Sequence, residues 1–286
     1  MGEHRTARPR ILDSHHHYWR IGGPGQAWPD AGWPLIHRDF LPTDLRAATD
    51  GLDLVGTVLV QSQPDDRDTD WMLALAAEDP SILAVVGWVA LDDAGAPSRI
   101  AQLARHPKLV GLRPMLQSMD DSDWILRDAC APAIDAMLTH GLRFDALVQP
   151  RHLPAIGRLA QRWPDLPIVI DHGAKPFAAQ GCLDPWRDDL AALARFSNIW
   201  CKLSGLRTEQ APGQSADALA PYVAHILAQF GDRTMWGSDW PVLLQMGDRY
   251  SDWVDATVRL AGPLDADGRA RLFEGAARAF YGLPAA

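Results

Sequence analysis

The stretch Ile11-Leu12-Asp13-Ser14-His15-His16-His17 is an apolar run that ends in three histidines. In an extended strand successive side chains point to opposite faces, so His15 and His17 share one face with Asp13, while His16 points the other way. Two imidazoles on one face of a strand end can bind one divalent cation from the same side. The stretch therefore predicts a first strand that contributes two ligands to a metal site.

A second strand-like run lies far along the chain, Met235-Trp236-Gly237-Ser238-Asp239-Trp240-Pro241. It places the carboxylate of Asp239 directly after a predicted last strand. Taken alone, the histidine pair is also compatible with a structural role, because a motif match is only a hypothesis. A first strand with His-x-His and a last strand with Asp together favour a metal-assisted hydrolase built on a closed barrel.

Composition excludes several classes of protein. The chain has 286 residues, of which 47% are hydrophobic and 22% charged, as expected for a globular enzyme with a sizeable core. A net charge of -9 argues against a nucleic-acid partner. Three cysteines without CxxC spacing indicate a reducing compartment and no cysteine-based zinc site.

Residues 1–10 have no apolar signal core, and no apolar run is long enough to span a membrane, so we expect a cytoplasmic protein without a membrane partner. No oligomeric state follows from the sequence.

Short apolar runs alternate with amphipathic stretches along the chain. We expect strands at residues 11–14, 55–61, 84–89, 109–113, 143–148, 168–171, 199–203 and 234–237. Helices are expected at residues 43–49, 69–78, 97–105, 124–140, 153–163, 185–196, 218–230 and 267–280. Nearly continuous apolar strands between helices indicate a parallel sheet covered on its faces.

Eight such units predict an α/β fold, a (β/α)8 TIM-like barrel with parallel strands, in a single domain spanning residues 1–286. An open doubly wound sheet is the alternative, but no GxGxxG motif follows the first strand. The active site of such a barrel lies at the C-terminal ends of its strands.

Those strand ends are rich in polar side chains: His15, His17, Gln61, Gln63, Arg113, Gln149, Asp171, His172, Lys175, Lys202, Ser204, Ser238 and Asp239. Zinc prefers a few nitrogen and oxygen ligands and an open position for water. His15, His17 and Asp239 supply three such ligands, and His172 is a candidate fourth. Asp239 is also the candidate general base, since ligand and base roles are hard to separate by sequence.

The remaining polar strand ends are candidates for substrate binding. The planar fork of Arg113 suits a carboxylate or ester oxygen, although a structural salt bridge is nearly as good an interpretation. We expect substrate contacts from Gln61, Gln149, Lys175 and Ser204 as well. Trp28 lies in a Gly/Pro-rich loop at residues 22–34, which we interpret as an active-site lid that covers the apolar face of the substrate.

The chain resembles the amidohydrolase superfamily, in its amidohydrolase-related family 2, and within it the branch of sugar and dicarboxylate lactonases. The segments that resemble it are residues 12–19, 38–42, 171–176, 201–205 and 235–241, in family order over almost the whole chain. The resemblance implies a barrel that hydrolyses a cyclic ester by attack of water on the carbonyl. It also implies functional roles for His15, His17, His172 and Asp239.

Two departures from the superfamily pattern bear on the metal. Arg113 ends strand 4, where the superfamily has a metal-bridging carbamylated lysine or a glutamate, and no histidine ends strand 5. We therefore expect one divalent metal, with Zn2+ as the first choice, rather than a binuclear centre. The branch also contains lactonases that work without metal, so a metal-independent mechanism stays open.

Amides and hydroxyls at the strand ends suit the hydroxyl groups of a sugar aldonolactone, whereas a dicarboxylate lactone needs converging arginines. Only Arg113 ends a strand, and Arg207 follows strand 7. We therefore predict a lactonase acting on a small sugar aldonolactone. The alternatives are a dicarboxylate lactonase of the pyrone or muconate type, a non-oxidative decarboxylase of the related barrel branch, and a catalytically inactive barrel that only binds ligands.

Overall fold

The computed structural model describes residues 8–23 and 25–285. Residues 1–7 of the N-terminal segment, Pro24 of the loop at residues 22–34, and Ala286 lie outside the described residues. Eight parallel strands pair in sequence order from first to last. They are β1 (Arg10–His16), β2 (Asp53–Val60), β3 (Ile82–Gly87), β4 (Leu109–Leu112), β5 (Arg143–Ala146), β6 (Ile168–Ile170), β7 (Ile199–Leu203) and β8 (Thr234–Trp236). The predicted barrel of parallel strands is confirmed.

The helices lie between the strands and after the last one. They are α1 (Pro42–Ala48), α2 (Asp66–Glu78), α3 (Ala96–Leu103), α4 (Ala131–Thr139), α5 (Leu153–Arg162), α6 (Trp186–Leu193), α7 (Ala220–Phe230), α8 (Tyr250–Leu260), α9 (Ala266–Ala270) and α10 (Ala276–Tyr281). A π-helical turn, Arg271–Gly275, joins the last two. Among the described residues, no helix is long and apolar enough to cross a membrane.

The core consists of two hydrophobic clusters. The larger one lies between the strands and the surrounding helices. The smaller one fills the barrel with side chains that alternate along the strands, such as Leu12, Val58, Val60, Val86, Val110 and Val169. Phe280 and Tyr281 of α10 pack against this interior cluster, and Arg143 at the start of β5 donates to the carbonyl of Phe280 at 2.8 Å. The C-terminal helix therefore closes the end of the barrel where the strands begin.

One helix prediction was wrong, and one helix was not predicted. The helix predicted at residues 124–140 begins only at Ala131, after two short 3-10 turns, Trp124–Leu126 and Asp128–Cys130. Pro132 lies in the first turn of α4, where its missing N–H costs nothing, whereas in a helix interior it would break a hydrogen bond. The helix that was not predicted is α8, whose buried face includes a tyrosine and a tryptophan within a polar sequence.

The strict alternation assumed for β1 is also wrong at one point. Asp13 pairs with Thr57 and His16 pairs with Leu59, so β1 has one extra residue, a bulge, between these positions. The Asp13 carboxylate accepts a 2.9 Å hydrogen bond from Tyr250 of the outer helix α8. Asp13 therefore points out of the barrel, and it does not share a face with His15.

The barrel closes between β8 and β1 through the residues that follow β8. Ser14 Oγ donates to the carbonyl of Trp236 at 2.7 Å, and the backbone N–H of Asp239 donates to the carbonyl of His15 at 2.8 Å. Asp13 accepts from the backbone N–H and the hydroxyl of Ser238, at 2.9 and 2.6 Å. The seam therefore fixes Asp239 next to the histidines of β1.

Candidate active site

Three imidazoles surround one carboxylate at the end of the barrel where the strands finish. Asp239 Oδ1 lies 3.4 Å from His17 Nε2, 3.7 Å from His15 Nε2 and 3.8 Å from His172 Nε2. All four side chains are buried. They come from β1 and from the segments directly after β1, β6 and β8, so the structure brings together the four residues that the sequence predicted as the metal and catalytic centre.

The backbone at two of these residues adopts the left-handed conformation. The φ angle is 56° at Asp239 and 55° at His172. Residues other than glycine rarely adopt this backbone conformation, and it costs about 1–3 kcal/mol where it occurs. Residues held in such a conformation cluster at active sites, so the strain points to a functional role for these turns.

Two of the imidazoles are held by partners on their far side. His17 Nδ1 lies 2.8 Å from the carbonyl of Val60, which can only accept, so the Nδ1 of His17 carries the proton and its Nε2 presents a lone pair. His172 Nδ1 lies 2.9 Å from Ser204 Oγ, a hydroxyl that can donate or accept. Ser204, predicted to bind substrate, therefore contacts His172.

Burial keeps the three imidazoles neutral. It lowers the pKa of His17, lowers that of His172 to about 4, and, together with the nearby Lys202 ammonium, lowers the pKa of His15 well below its ordinary value. Burial alone would raise the pKa of Asp239, but interaction with the protonated forms of the His172 and His17 imidazoles, which exist only below their own lowered pKa values, holds the pKa of Asp239 below its usual range. The site thus combines an ionised carboxylate with neutral imidazoles, the form in which histidine binds metals.

The spacing of four side-chain nitrogen and oxygen atoms at this centre fits a divalent cation. Zinc bonds of about 2.0–2.1 Å in tetrahedral geometry place neighbouring ligand atoms about 3.3 Å apart. Here His15 Nε2 and His17 Nε2 are 3.2 Å apart, and Asp239 Oδ1 is 3.4–3.8 Å from the three imidazole nitrogens. Possible ligand atoms of His15, His172 and Asp239 all lie within 4.8 Å of one another, and His17 lies beside this trio.

Two predicted substrate-binding residues are engaged with each other below this centre. Gln61 Nε2 donates to the carbonyl of Arg113 at 2.9 Å, and Arg113 Nη2 donates to the side chain and the carbonyl of Gln61. Arg113 Nη1 lies 3.2 Å from His15 Nε2 and 3.4 Å from Asp171 Oδ2. The arginine at the end of strand 4 therefore contacts the histidine centre, and its guanidinium is almost fully buried.

The other predicted substrate residues lie farther out. Lys175 forms a 3.1 Å ion pair with Glu209, and Gln149 is exposed and accepts from Arg151 at 3.2 Å. Trp28 is partly buried, with its ring 5.1 Å from that of Trp19 in an edge-to-face contact. Its carbonyl accepts from Gln63, whose side-chain oxygen in turn accepts from the N–H groups of Ala27 and Trp28. Gln63 thus anchors the loop at residues 22–34.

Sequence reasoning missed two glycines that shape the site. A Cβ at Gly205 would overlap the His172 ring, and φ there is +60°. A Cβ at Gly237 would come within 2.8 Å of the Cβ of His15. Both glycines lie in segments already singled out, but only the close approach of two chain segments reveals why they must lack a side chain.

It also missed two charged and polar residues inside the barrel. Asp145 is a fully buried carboxylate between the apolar residues Phe144 and Ala146 of β5, and Tyr281 donates to it from α10 at 2.7 Å. A carboxylate between apolar residues of a predicted strand was a signal that the sequence offered. Nothing in the sequence pointed to Tyr281 as its partner.

Comparison with known proteins agrees with this geometry. An amidohydrolase family model matches residues 12–283. The chain is 45% identical over 277 residues to an L-fucono-1,5-lactonase of Burkholderia ambifaria, with 94% of both chains covered. It is 33% identical over 290 residues to an L-fucono-1,5-lactonase of Burkholderia multivorans, with 96% of both covered. A crystal structure of an amidohydrolase from Burkholderia multivorans with bound zinc superposes with a TM-score of 0.90 at 32% identity, covering 96% of this chain and 99% of that one.

Proposed function

The chain belongs to the amidohydrolase family, and we propose that it hydrolyses the lactone of a sugar acid, with water as the second substrate. The observation that carries the proposal is the meeting of one ionised carboxylate with three neutral imidazoles at the strand ends. Since the two relatives are named L-fucono-1,5-lactonase, a six-carbon aldono-1,5-lactone is the first substrate to test.

In the mechanism we propose, Asp239 acts as the general base. Its carboxylate is ionised and takes one proton from the attacking water while the oxygen of that water bonds to the lactone carbonyl carbon. When the tetrahedral intermediate collapses, the bond to the ring oxygen breaks and Asp239 returns the proton to this oxygen. The product is the open-chain hydroxy acid, and the enzyme is restored.

We assign His172 to the same catalytic centre. Ser204 holds its Nδ1, so its Nε2 faces the reacting groups beside Asp239. The fixed backbone turn at this residue keeps the ring in place without rearrangement during the reaction. The buried guanidinium of Arg113 adds positive charge beneath the position where the carbonyl oxygen becomes negative.

We propose that one divalent ion, zinc, would be held by His15, His172 and Asp239, together with His17, which lies 3.4 Å from Asp239. When bound, such an ion lowers the pKa of a coordinated water towards about 7 and polarises a carbonyl. The donor set of neutral imidazoles and a carboxylate matches the preferences of zinc.

We propose that Gln149 and Lys175 contribute to substrate binding around this centre, and that the buried Gln61 contributes through Arg113, whose guanidinium it contacts. We also propose that Trp28, in the loop at residues 22–34, covers one face of the sugar ring. The Trp28 indole is partly buried against Trp19, and Gln63 holds the Trp28 backbone. These contacts favour a loop that lines the site in a fixed position over one that opens and closes. We regard residues 1–286 as one domain that includes this loop.

The arginines weaken the dicarboxylate alternative. Arg113 is engaged with Gln61 and Asp171, and Arg207 is paired with Asp248. Binding of two substrate carboxylates would require both guanidiniums to leave these partners. Polar groups around the site suit a neutral, hydroxyl-rich ring instead.

We also propose that the enzyme acts in the cytoplasm on a small molecule and without nucleic acid. Cys130, Cys182 and Cys201 are all free, which fits a reducing compartment. The net charge of -9 disfavours binding to a polyanion.

A pH-indicator assay tests the proposed activity. L-Fucono-1,5-lactone and other aldonolactones are compared side by side with pyrone and muconate dicarboxylate lactones, before and after dialysis against a chelator. We expect an aldonolactone to be the best substrate. A kcat/KM for any dicarboxylate lactone about a hundredfold above that of every aldonolactone, a difference of about 2.7 kcal/mol in transition-state binding, would reverse the assignment.

A further inference from the structure

A cluster of buried charges lies inside the barrel directly beneath the histidine centre. Lys202 of β7 is fully buried, and its Nζ lies 2.6 Å from Asp145 Oδ2 and 3.0 Å from Asp171 Oδ1. Barrels of this type usually fill this position with branched apolar side chains. Burying ions costs several kcal/mol each, so stability alone does not account for a cluster of this kind.

The cluster reaches both ends of the barrel. Towards the site, Lys202 Nζ lies 3.1 Å from His15 Nδ1. Towards the other end, Tyr281 of α10 donates to Asp145 Oδ2 at 2.7 Å, and Lys202 Nζ lies 5.5 Å from the centre of the Tyr281 ring. Tyr281 and Asp145 therefore hold the lysine in a position from which it reaches His15.

Each ring nitrogen of His15 faces a cation. Lys202 lies 3.1 Å from Nδ1 and Arg113 Nη1 lies 3.2 Å from Nε2. Ammonium and guanidinium groups only donate hydrogen bonds, and a neutral imidazole has only one nitrogen that accepts. His15 can therefore accept from one of the two cations but not from both.

The position of the ring proton decides what His15 offers to the site. If Nδ1 accepts from Lys202, Nε2 carries the proton and can donate to His17 Nε2, 3.2 Å away. If Nδ1 carries the proton, it can donate to Asp171 Oδ1 at 3.4 Å, and Nε2 presents its lone pair to the centre. Only the second tautomer can bind a metal through Nε2.

The contacts favour the first tautomer. The second tautomer makes contacts of 3.2 Å with Arg113 and 3.4 Å with Asp171. The first makes hydrogen bonds of 3.1 Å with Lys202 and 3.2 Å with His17, and Arg113 Nη1 then keeps Asp171 Oδ2 as its acceptor at 3.4 Å. In this tautomer His15 Nε2 also donates its proton to His17 Nε2. That nitrogen presents a lone pair because His17 Nδ1 carries the proton and donates it to the Val60 carbonyl. The Lys202 and Asp171 side chains thus compete for the same nitrogen.

We propose that Lys202 is a positioning residue that sets the tautomer of His15 through Nδ1 and thereby weakens metal binding by His15 Nε2. Tyr281 and Asp145 support it by holding the ammonium in place. The proposal rests on the proposed function only in locating the reaction at this centre. Its tests read the tautomer and the metal affinity, so they stand apart from any lactonase assay.

The first test reads the tautomer by NMR in the metal-free full-length protein. Long-range proton–nitrogen correlations of the imidazoles are recorded for the wild type and for Lys202→Met, and a His15→Asn variant identifies the His15 signals. We expect the proton on Nε2 in the wild type and on Nδ1 in Lys202→Met. A proton on Nδ1 in the wild type, or an unchanged tautomer in Lys202→Met, would overturn the proposal.

The second test measures zinc affinity by competition with a chromophoric chelator. We expect Lys202→Met to bind Zn2+ at least about tenfold more tightly than the wild type, within the range seen when groups around metal ligands are changed. An unchanged or weaker affinity would contradict the proposal. Because Lys202→Met leaves two buried carboxylates without their cation, the double variant Lys202→Met/Asp145→Asn replaces it if the single variant does not fold.

A matched pair of tyrosine variants separates this cluster from general stability. Tyr281→Phe and Tyr250→Phe each remove one buried hydroxyl that donates to an aspartate, at 2.7 and 2.9 Å. Only Tyr281 contacts the cluster around Lys202. We expect Tyr281→Phe alone to change the His15 tautomer population, and an equal change in both variants would contradict a specific supporting role.

Discussion

At the scale of single residues, the candidate site depends on a carboxylate that is buried and yet ionised. Burial alone would favour the protonated form of Asp239, but interaction with the protonated forms of three imidazoles, 3.4–3.8 Å from its Oδ1, keeps its pKa low enough for the carboxylate to stay ionised where the imidazoles are neutral. Its left-handed backbone holds the carboxylate among them. The residue is therefore prepared to accept a proton from water without further movement.

Asp239→Asn should abolish hydrolysis and leave the fold intact. The amide has nearly the same shape but cannot accept a proton, and loss of a general base costs about 10²–10⁴-fold in rate. Steady-state kinetics and circular dichroism measure the two effects. The control is Asp217→Asn, which removes an exposed partner of Arg259 far from the site and should leave kcat unchanged. Turnover within about tenfold of the wild type would exclude Asp239 as the base.

Gly205→Ala should reduce activity by displacing His172. The added Cβ overlaps the His172 ring, and φ is +60° at this position. The control is Gly213→Ala, where φ is +82° but no atom lies within 4 Å of the added Cβ. Both variants should lose about 1 kcal/mol of stability from backbone strain, but only Gly205→Ala should lose more than about tenfold in kcat/KM. Equal kinetics in the two variants would show that the contact with His172 is not critical.

At the scale of elements, a buried aspartate joins the end of β2 to the start of α2. Asp68 Oδ2 accepts from the backbone N–H groups of Ser62 and Gln63, at 2.9 and 3.1 Å. Gln63 in turn anchors Trp28, so this junction also supports the loop at residues 22–34. Burial raises the pKa of Asp68 from 3.8 to about 6, although the two N–H donors oppose the shift.

The raised pKa makes the contribution of Asp68 to stability depend on pH. Between pH 3.8 and about 6 the folded state binds more protons than the unfolded state, so stability is greatest below pH 3.8 and falls as the pH rises through 6. Asp68→Asn keeps an oxygen that accepts both N–H bonds and removes this loss. At pH 7 the variant should gain about 1–3 kcal/mol over the wild type, and at pH 4 the gain should nearly vanish.

Urea unfolding of both proteins between pH 4 and pH 7 measures this difference. Asp70→Asn, an exposed change on the same helix, serves as the control and should follow the wild type. A gain from Asp68→Asn that stays constant across this pH range would show that the proton on Asp68 is not its cause.

At the scale of the whole molecule, the site exists only because the barrel closes. Its four central residues come from β1 and the segments after β1, β6 and β8, which are far apart in the chain. Hydrogen bonds from the segment after β8 to β1 bring Asp239 beside the histidines, and α10 seals the opposite end. A ligand bound to all four residues would therefore connect β1 with the segments that follow β6 and β8.

Zinc should stabilise the folded protein against heat. A ligand present at a hundred times its dissociation constant contributes about 2.7 kcal/mol if it binds only the folded state. For a chain of this size that corresponds to a rise in Tm of about 5 °C. Differential scanning calorimetry with and without Zn2+ measures the shift, and Asp239→Asn should reduce it. An identical Tm in both conditions would argue against metal binding by these residues.

The sequence by itself determined the order of strands and helices and the residues that end the strands. Local periodicity carries this information, because side-chain direction repeats within a few residues. It predicted all eight strands and the residues His15, His17, His172 and Asp239. It erred where long-range packing overrides the local pattern: the bulge in β1 turns Asp13 outwards, and α8 forms because its tyrosine and tryptophan are buried against the barrel.

Only the tertiary structure decided how these residues meet. The contact of Lys202 with His15 spans 187 positions in the chain, and that of Tyr281 with Asp145 spans 136. The need for glycine at position 205 depends on the His172 ring, which belongs to a different strand end. Distances of this kind follow from closure of the barrel, which depends on all eight strands at once, so no local pattern specifies them.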